Sequence, residues 1–117
     1  MDDIQLPEDE LLHKVIQLYV GDRPVLRIGD PLLRHYKILE IVLTELGITF
    51  DRINKKDIWV PKLSGDGYLV AGMGRCVYSD GQLVLTGDSE FYQKGIDIGH
   101  MEKCKQLRKD VRFMYIE

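Results

Sequence analysis

The most constraining feature of this sequence is one amphipathic helix whose two ends are both marked. Gly29-Asp30-Pro31 predicts its start, because Asp30 can accept hydrogen bonds from the free N–H groups of a first turn and Pro31 needs no N–H there. Gly47 is typical of a helix end. Between these marks, apolar residues recur at steps of four and three: Leu32, Tyr36, Leu39, Leu43 and Leu46. A helix over 31–46 with one apolar stripe needs a second layer to cover it.

The rest of the chain predicts that this layer is a β-sheet. Asp80-Gly81 is typical of a two-residue hairpin turn, and Pro61 favours an edge strand because proline cannot donate to a strand ladder. A further helix is predicted near 99–109. We therefore expect an α+β fold, with helices packed on a mainly antiparallel or mixed sheet of about five or six strands. The predicted strands are 25–28, 48–53, 57–63, 68–71, 75–78, 82–86 and 111–116.

The N-terminal segment predicts an extra acidic helix at about 8–20. Pro7 precedes three acids, Glu8-Asp9-Glu10, and both proline and acids are favourable in a first helical turn. Apolar residues then follow at helical spacing: Leu11, Leu12, Val15, Ile16 and Tyr19. Residues 15–20 are also compatible with a strand, so this segment keeps two interpretations.

Length and charge limit the classes of function. The 117 residues fit a single domain over 1–117. Residues 1–10 hold five acids and no base, which leaves 16 bases against 14 acids elsewhere, too small an excess for a nucleic-acid partner. Neither a signal peptide nor an apolar run of ~18 residues is present, so we expect a cytoplasmic protein with no membrane partner. The oligomeric state is open.

Cysteine and histidine spacing gives little support for a metal or a cofactor. His100 and Cys104 stand four residues apart on a predicted helix and could share a zinc ion, but no further ligand pair accompanies them. Gly72-Met73-Gly74 begins like a dinucleotide-binding motif and lacks its third glycine. We expect neither a metal nor a cofactor.

Two short segments suit a phosphate group. Arg75 follows Gly72-Met73-Gly74. Beside backbone with so little side-chain bulk, a guanidinium can form bidentate hydrogen bonds to phosphate oxygens. Gly87 starts a bend that can turn N–H groups toward an anion, and Ser89 adds a hydroxyl donor. His35 lies near the positive end of the predicted helix, which favours a neutral imidazole able to accept a proton.

The stretch from Gly72 to Tyr92, with His100 after it, resembles the Janus/Ocnus family of phosphohistidine phosphatase-like proteins. That family has a glycine-rich segment ending in arginine, a short hairpin, and a Gly-x-Ser-x-x-Tyr stretch before the last helix and strand. Here these correspond to Gly72–Arg75 and to Gly87-Asp88-Ser89-Glu90-Phe91-Tyr92. The segment 23–28 is similar to the family's first strand, which opens with a basic residue. The segment 54–66 is an insertion relative to the family.

The resemblance implies metal-free hydrolysis of the P–N bond of phosphohistidine, and also of phospholysine, in a phosphorylated protein or a small phosphoramidate. Arg75, Ser89 and the N–H groups of Glu90 and Phe91 would hold the phosphoryl oxygens, with Arg23 as a second cation. His35 would act as a base or a nucleophile. Two alternatives stay open: a non-catalytic phosphate- or phosphopeptide-binding module, and an interaction protein that docks a partner through its acidic N-terminus and an edge strand.

Overall fold

The computed structural model describes residues 3–117. The helices are α1 (His35–Glu45) and α2 (Ile98–Leu107). The strands are β1 (His13–Val20), β2 (Arg23–Gly29), β3 (Arg52–Lys55), β4 (Ile58–Pro61), β5 (Ser64–Gly65), β6 (Tyr68–Ser79), β7 (Gln82–Thr86), β8 (Asp88–Ser89), β9 (Lys94–Gly95) and β10 (Arg112–Ile116). Neither helix is long and apolar enough to cross a membrane.

The main sheet has the strand order β10-β7-β6-β1-β2, with the short β5 paired to β6. All its pairs are antiparallel except β10 with β7, so the sheet is mixed. The small pairs β3–β4 and β8–β9 form separate hairpins beside it. The predicted α+β fold, with helices on a sheet of about six strands, is confirmed.

The two helices cover opposite faces of the sheet. Neighbouring residues of β1 alternate between the faces: Ile16 packs in the cluster with α1, and Val15 packs in the cluster with α2. The α1 cluster also includes Leu39, Leu43 and Met73, and the α2 cluster also includes Met101, Cys104 and Phe113. The long central strand β6 therefore has a helix on each side.

The helix α1 is shorter at its start than the sequence predicts. Asp30 accepts a hydrogen bond from the Leu32 N–H at 2.8 Å, but this closes a turn ahead of the helix, which begins at His35. Leu32 consequently lies outside the helix and is 90% exposed. The predicted end is correct: Gly47 has a φ of +70°, and the Ile48 N–H bonds to the Leu43 carbonyl at 2.9 Å.

The predicted N-terminal helix at 8–20 is wrong. Residues 13–20 form β1, the strand between β6 and β2, because partners on both sides satisfy its backbone and its alternating residues fill both cores. The residues before it form no helix and bend at 8–11, and Ile4 makes a parallel bridge to Leu26 on the outer side of β2. Tertiary pairing thus decides between the two interpretations of this segment. Residues 1 and 2 of the predicted acidic segment lie outside the described residues.

Several strand limits also differ. The predicted strands 68–71 and 75–78 are one strand, β6, and the predicted 48–53 and 57–63 shrink to the hairpin β3–β4. Pro61 lies in that two-stranded hairpin, outside the main sheet, as an edge strand requires. The Asp80-Gly81 turn has two positive φ angles, 52° and 74°, as the hairpin signal predicts. The β6 strand carries one extra residue, since Gln17 pairs with Gly72 and Leu18 with Val70, leaving Ala71 as a bulge.

A buried glutamine joins the sheet to the start of α2. The Gln17 side chain accepts from the Asp97 N–H at 2.7 Å and donates to the Asp97 carbonyl at 3.0 Å. The Asp97 carboxylate in turn accepts from the His100 N–H at 2.7 Å and caps the helix. Gly72 makes room for this contact, because a Cβ there would lie 2.1 Å from Gln17 Oε1 and 2.7 Å from the Asp97 nitrogen.

We expect Gly72→Ala to lower the free energy of unfolding by roughly 1–3 kcal/mol, because the methyl group meets backbone atoms that cannot move aside freely. The matched control is Gly95→Ala, where a Cβ meets nothing closer than 3.8 Å and should change stability little. Urea denaturation of both variants measures the difference. Equal stabilities of the two variants would contradict the close packing at Gly72.

His100, on α2, is fully buried. Its Nε2 donates to the Leu18 carbonyl at 2.9 Å, and its Nδ1 lies 3.6 Å from Cys104 Sγ. Burial lowers the pKa of His100, although the hydrogen bond to Leu18 and the charge of Asp97 oppose this. Burial also raises the pKa of Cys104 to about 12, so the thiol keeps its proton and can donate to the imidazole.

The lowered pKa of His100 predicts that the folded protein loses stability in mild acid. Below the ordinary histidine pKa of about 6.5, His100 binds a proton in the unfolded chain but stays neutral in the folded protein. The contribution of His100 is complete above that pH and declines as the pH falls toward its lower folded pKa, by at most about 1.4 kcal/mol per pH unit. Urea denaturation between pH 7 and 5 should give a shallower decline for His100→Gln than for the native chain. Parallel declines would contradict this role of His100.

Candidate functional site

The register of β1 on β6 places two cations side by side. Lys14 is the direct cross-strand partner of Arg75. Like charges in this position repel each other. In the part of the chain that the structure describes, no carboxylate lies within ion-pair distance of either side chain. The pair is therefore a local excess of positive charge on the sheet face that carries α1.

A histidine lies against this pair of cations. His35 is the first residue of α1 and is 6% exposed. Its Nε2 lies 2.9 Å from the carbonyl of Gly74, the residue before Arg75, and must carry the proton to donate to it. The Nδ1 atom of a neutral imidazole then holds the lone pair.

The surroundings of His35 favour its neutral form. Burial lowers the pKa of His35, and the positive charges of Lys14 and Arg75 lower it further. The hydrogen bond to Gly74 and the charge of Asp88 act in the opposite direction and do not reverse the shift. The imidazole is therefore available as a proton acceptor near neutral pH.

Lys14 is itself affected by its neighbours. Its Nζ donates to the Leu33 carbonyl, which ties β1 to the turn before α1. The pKa of Lys14 is lowered by partial burial and then by the charges of Arg75 and Arg34, with Asp30 opposing. A bound anion would relieve this repulsion, so the electrostatics favour a negatively charged ligand here.

The loop from Gly87 to Gly95 forms the other wall of the site. Gly87 has a φ of +72° and lies under the Arg75 guanidinium, and the loop then closes through the β8–β9 pair. Ser89 is 2% exposed, and its Oγ accepts from the Tyr92 N–H at 3.3 Å, which leaves its O–H to donate. The Tyr92 hydroxyl donates to the Pro61 carbonyl at 2.8 Å, so the loop is held against β4.

These elements enclose an open cavity of about 150 Å³, which suits a phosphoryl group. We call it the anion pocket. It brings together all but one of the predicted site residues, namely His35, Arg75, Ser89, Glu90 and Phe91, and adds Lys14, Arg34 and Asp88.

Arg23 is the predicted site residue that the structure does not bring to the pocket. It opens β2 and pairs with Val20, six residues along β1 from Lys14, a separation of roughly 20 Å. Its guanidinium lies 3.6 Å from the carboxylate of Asp3. The expectation of a second cation from Arg23 is wrong, and Lys14 provides that charge instead. The sequence signal for Lys14 is a lysine inside an apolar strand, which the helical interpretation of 8–20 concealed.

A larger depression of about 530 Å³ lies elsewhere and has the opposite charge character. It is lined by Val20, residues 47–51 and residues 65–67, with Asp51 and Asp66 as its charged side chains and no base. An anion is disfavoured there. Within residues 3–117, no three histidine, cysteine or acidic side chains lie close enough together to hold a metal ion.

No protein-family model matches this chain, and no curated protein matches it either.

The electrostatic coupling in the anion pocket can be measured directly. We expect Lys14→Met to raise the pKa of His35 toward its ordinary value, because one of the two cations that oppose imidazolium is removed. A pH titration of the His35 ring followed by ¹H–¹⁵N NMR measures the change. Arg23→Met, which removes a distant cation, is the control and should leave the titration as it is in the native chain. A His35 titration unaffected by Lys14→Met would contradict the coupling.

Proposed function

We propose that this protein hydrolyses the P–N bond of phosphohistidine, in a protein or a small phosphoramidate, without a metal ion. The observation that carries the proposal is the convergence of two cations that have no ion-pair partner among the described residues, a buried serine and a neutral imidazole on one pocket. The structure supports an oxyanion site with a base beside it. The sequence resemblance supplies the P–N substrate class.

The pocket residues have distinct roles in binding the phosphoryl group. Arg75 and Lys14 neutralise its oxygens from the β-sheet side, and the Ser89 hydroxyl with the N–H groups of Glu90 and Phe91 donates from the loop side. Because negative charge spreads over these oxygens in the transition state, donors fixed in advance stabilise it more than they stabilise the substrate. One such donor contributes about 3 kcal/mol in comparable sites.

His35 moves the proton. Its Nδ1 accepts a proton from water as the water oxygen bonds to phosphorus, the P–N bond breaks, and the electron pair stays on the leaving nitrogen of the substrate imidazole. That nitrogen takes up a proton from solvent. His35 releases to solvent the proton that it accepted, so the products are histidine and phosphate. Attack by Nδ1 on phosphorus, with a transient phosphorylated His35, uses the same lone pair. The hydrogen bond from Nε2 to Gly74 fixes the ring for either role.

Three substitutions test the proposal. His35→Gln keeps an amide donor for the Gly74 carbonyl and removes the lone pair, so we expect a roughly 10²- to 10⁴-fold loss in kcat. Arg75→Ala should lose roughly 10²- to 10³-fold. Arg23→Ala, outside the pocket, should hydrolyse phosphohistidine at the native rate. Phosphate release from phosphohistidine measures all three, and circular dichroism checks the fold.

Two outcomes would contradict the proposal. Turnover at the native rate in His35→Gln would exclude His35 as the base. Turnover at the native rate in Arg75→Ala would exclude Arg75 as a phosphate-binding residue. If the unaltered protein binds phosphohistidine and releases no phosphate, the pocket is a binding module and the hydrolytic function is wrong.

A further inference from the structure

A second cavity opens beside the anion pocket. It has a volume of about 290 Å³ and is lined by Arg34, Tyr36, Lys56, Ile58, Glu90 and Phe91. Arg34, Glu90 and Phe91 also line the anion pocket, so the two cavities adjoin each other. A group bonded to a phosphorus atom in the first cavity therefore lies beside the second. We call this second cavity the side pocket.

The hairpin β3–β4 builds the outer wall of the side pocket. Its turn residues Lys56 and Asp57 have φ angles of 53° and 65°, which fits a tight hairpin turn. Lys56 Nζ lies 5.5 Å from the centre of the Phe91 ring, so the tip of the hairpin reaches the loop from Gly87 to Gly95. The segment 54–66, which includes this tip and β4, is the one that the resemblance to the Janus/Ocnus family implies is an insertion.

Aromatic rings form the inner wall. The Tyr36 and Phe91 rings lie 5.0 Å apart at 44°, and Phe91 meets Tyr92 edge-on at 5.5 Å. Since Tyr92 is bonded to Pro61, this wall is fixed to β4 on the same hairpin. A flat ring can pack on such a surface, while Arg34 and Lys56 outnumber Glu90 among the lining charges and disfavour a protonated amine.

We infer that the side pocket binds the imidazole ring of the substrate's phosphohistidine while the anion pocket holds its phosphoryl group. This inference rests on the proposed function. Tyr36, Ile58 and Phe91 pack against the ring. The hairpin thus makes the site selective for phosphohistidine over phospholysine, whose amine leaving group is flexible and becomes cationic when released.

Three substrates that each carry one phosphoryl group distinguish the contribution of the side pocket from that of the anion pocket. Phosphohistidine fills both pockets, phosphoramidate releases only ammonia and fills the anion pocket, and phospholysine carries an alkyl amine. We expect Ile58→Ala to lower kcat/KM for phosphohistidine about tenfold and to leave phosphoramidate unchanged. Trp59→Ala is the matched control, because Trp59 follows Ile58 on β4, is 64% exposed and does not line the pocket. The native chain should prefer phosphohistidine to phospholysine.

An equal loss for phosphohistidine and phosphoramidate in Ile58→Ala would overturn the inference, and so would no loss for either. A chain that hydrolyses none of the three substrates contradicts the proposed function instead. In that case a binding experiment tests the side pocket. A phosphonopyrazole and methylphosphonate are each titrated into the protein, and the chemical shifts of the backbone amides are followed by NMR. Shifts at Tyr36 and Ile58 with the ring compound alone support the side pocket, and equal shifts with both overturn it.

Discussion

The register between β1 and β6 is the constraint on which the site depends. It places Lys14 opposite Arg75 and, three residues further along β1, Gln17 opposite Gly72. The first of these pairs collects positive charge, and the second joins α2 to the sheet through the Asp97 peptide. A one-residue slip would turn Lys14 to the opposite face and bury a cation in the α2 cluster, so core packing and the pocket specify the same alignment.

The buried polar contacts of the two helices serve different ends. His35 and His100 both donate Nε2 to a strand carbonyl, and both have lowered pKa values because they are buried. The remaining nitrogen of His100 faces a protonated thiol inside the core. The remaining nitrogen of His35 belongs to a residue that lines the anion pocket. The same kind of hydrogen bond thus anchors α2 in one case and fixes the orientation of a pocket-lining imidazole in the other.

The sequence predicts the site best where local chemistry decides the structure. Arg75 and Ser89 stand in glycine-containing segments whose backbone geometry is local, and His35 stands in a helix with a clear stripe. Lys14 could not be found in this way, because residues 13–20 are compatible with both helix and strand, and the choice is made by β6, far along the chain. The side pocket is equally hidden in the sequence, since it requires Lys56 of the β3–β4 hairpin to meet Phe91 across the fold.

The bulge at Ala71 has a consequence for how this protein can change over time. It lies between the half of β6 that meets the β5 hairpin and the half that carries Arg75. A strand irregularity of this kind absorbs an added or lost residue locally. Length variation in the β5–β6 turn can therefore be tolerated without shifting the half of the strand that carries Arg75, which leaves that outer end free to diversify while the anion pocket is kept.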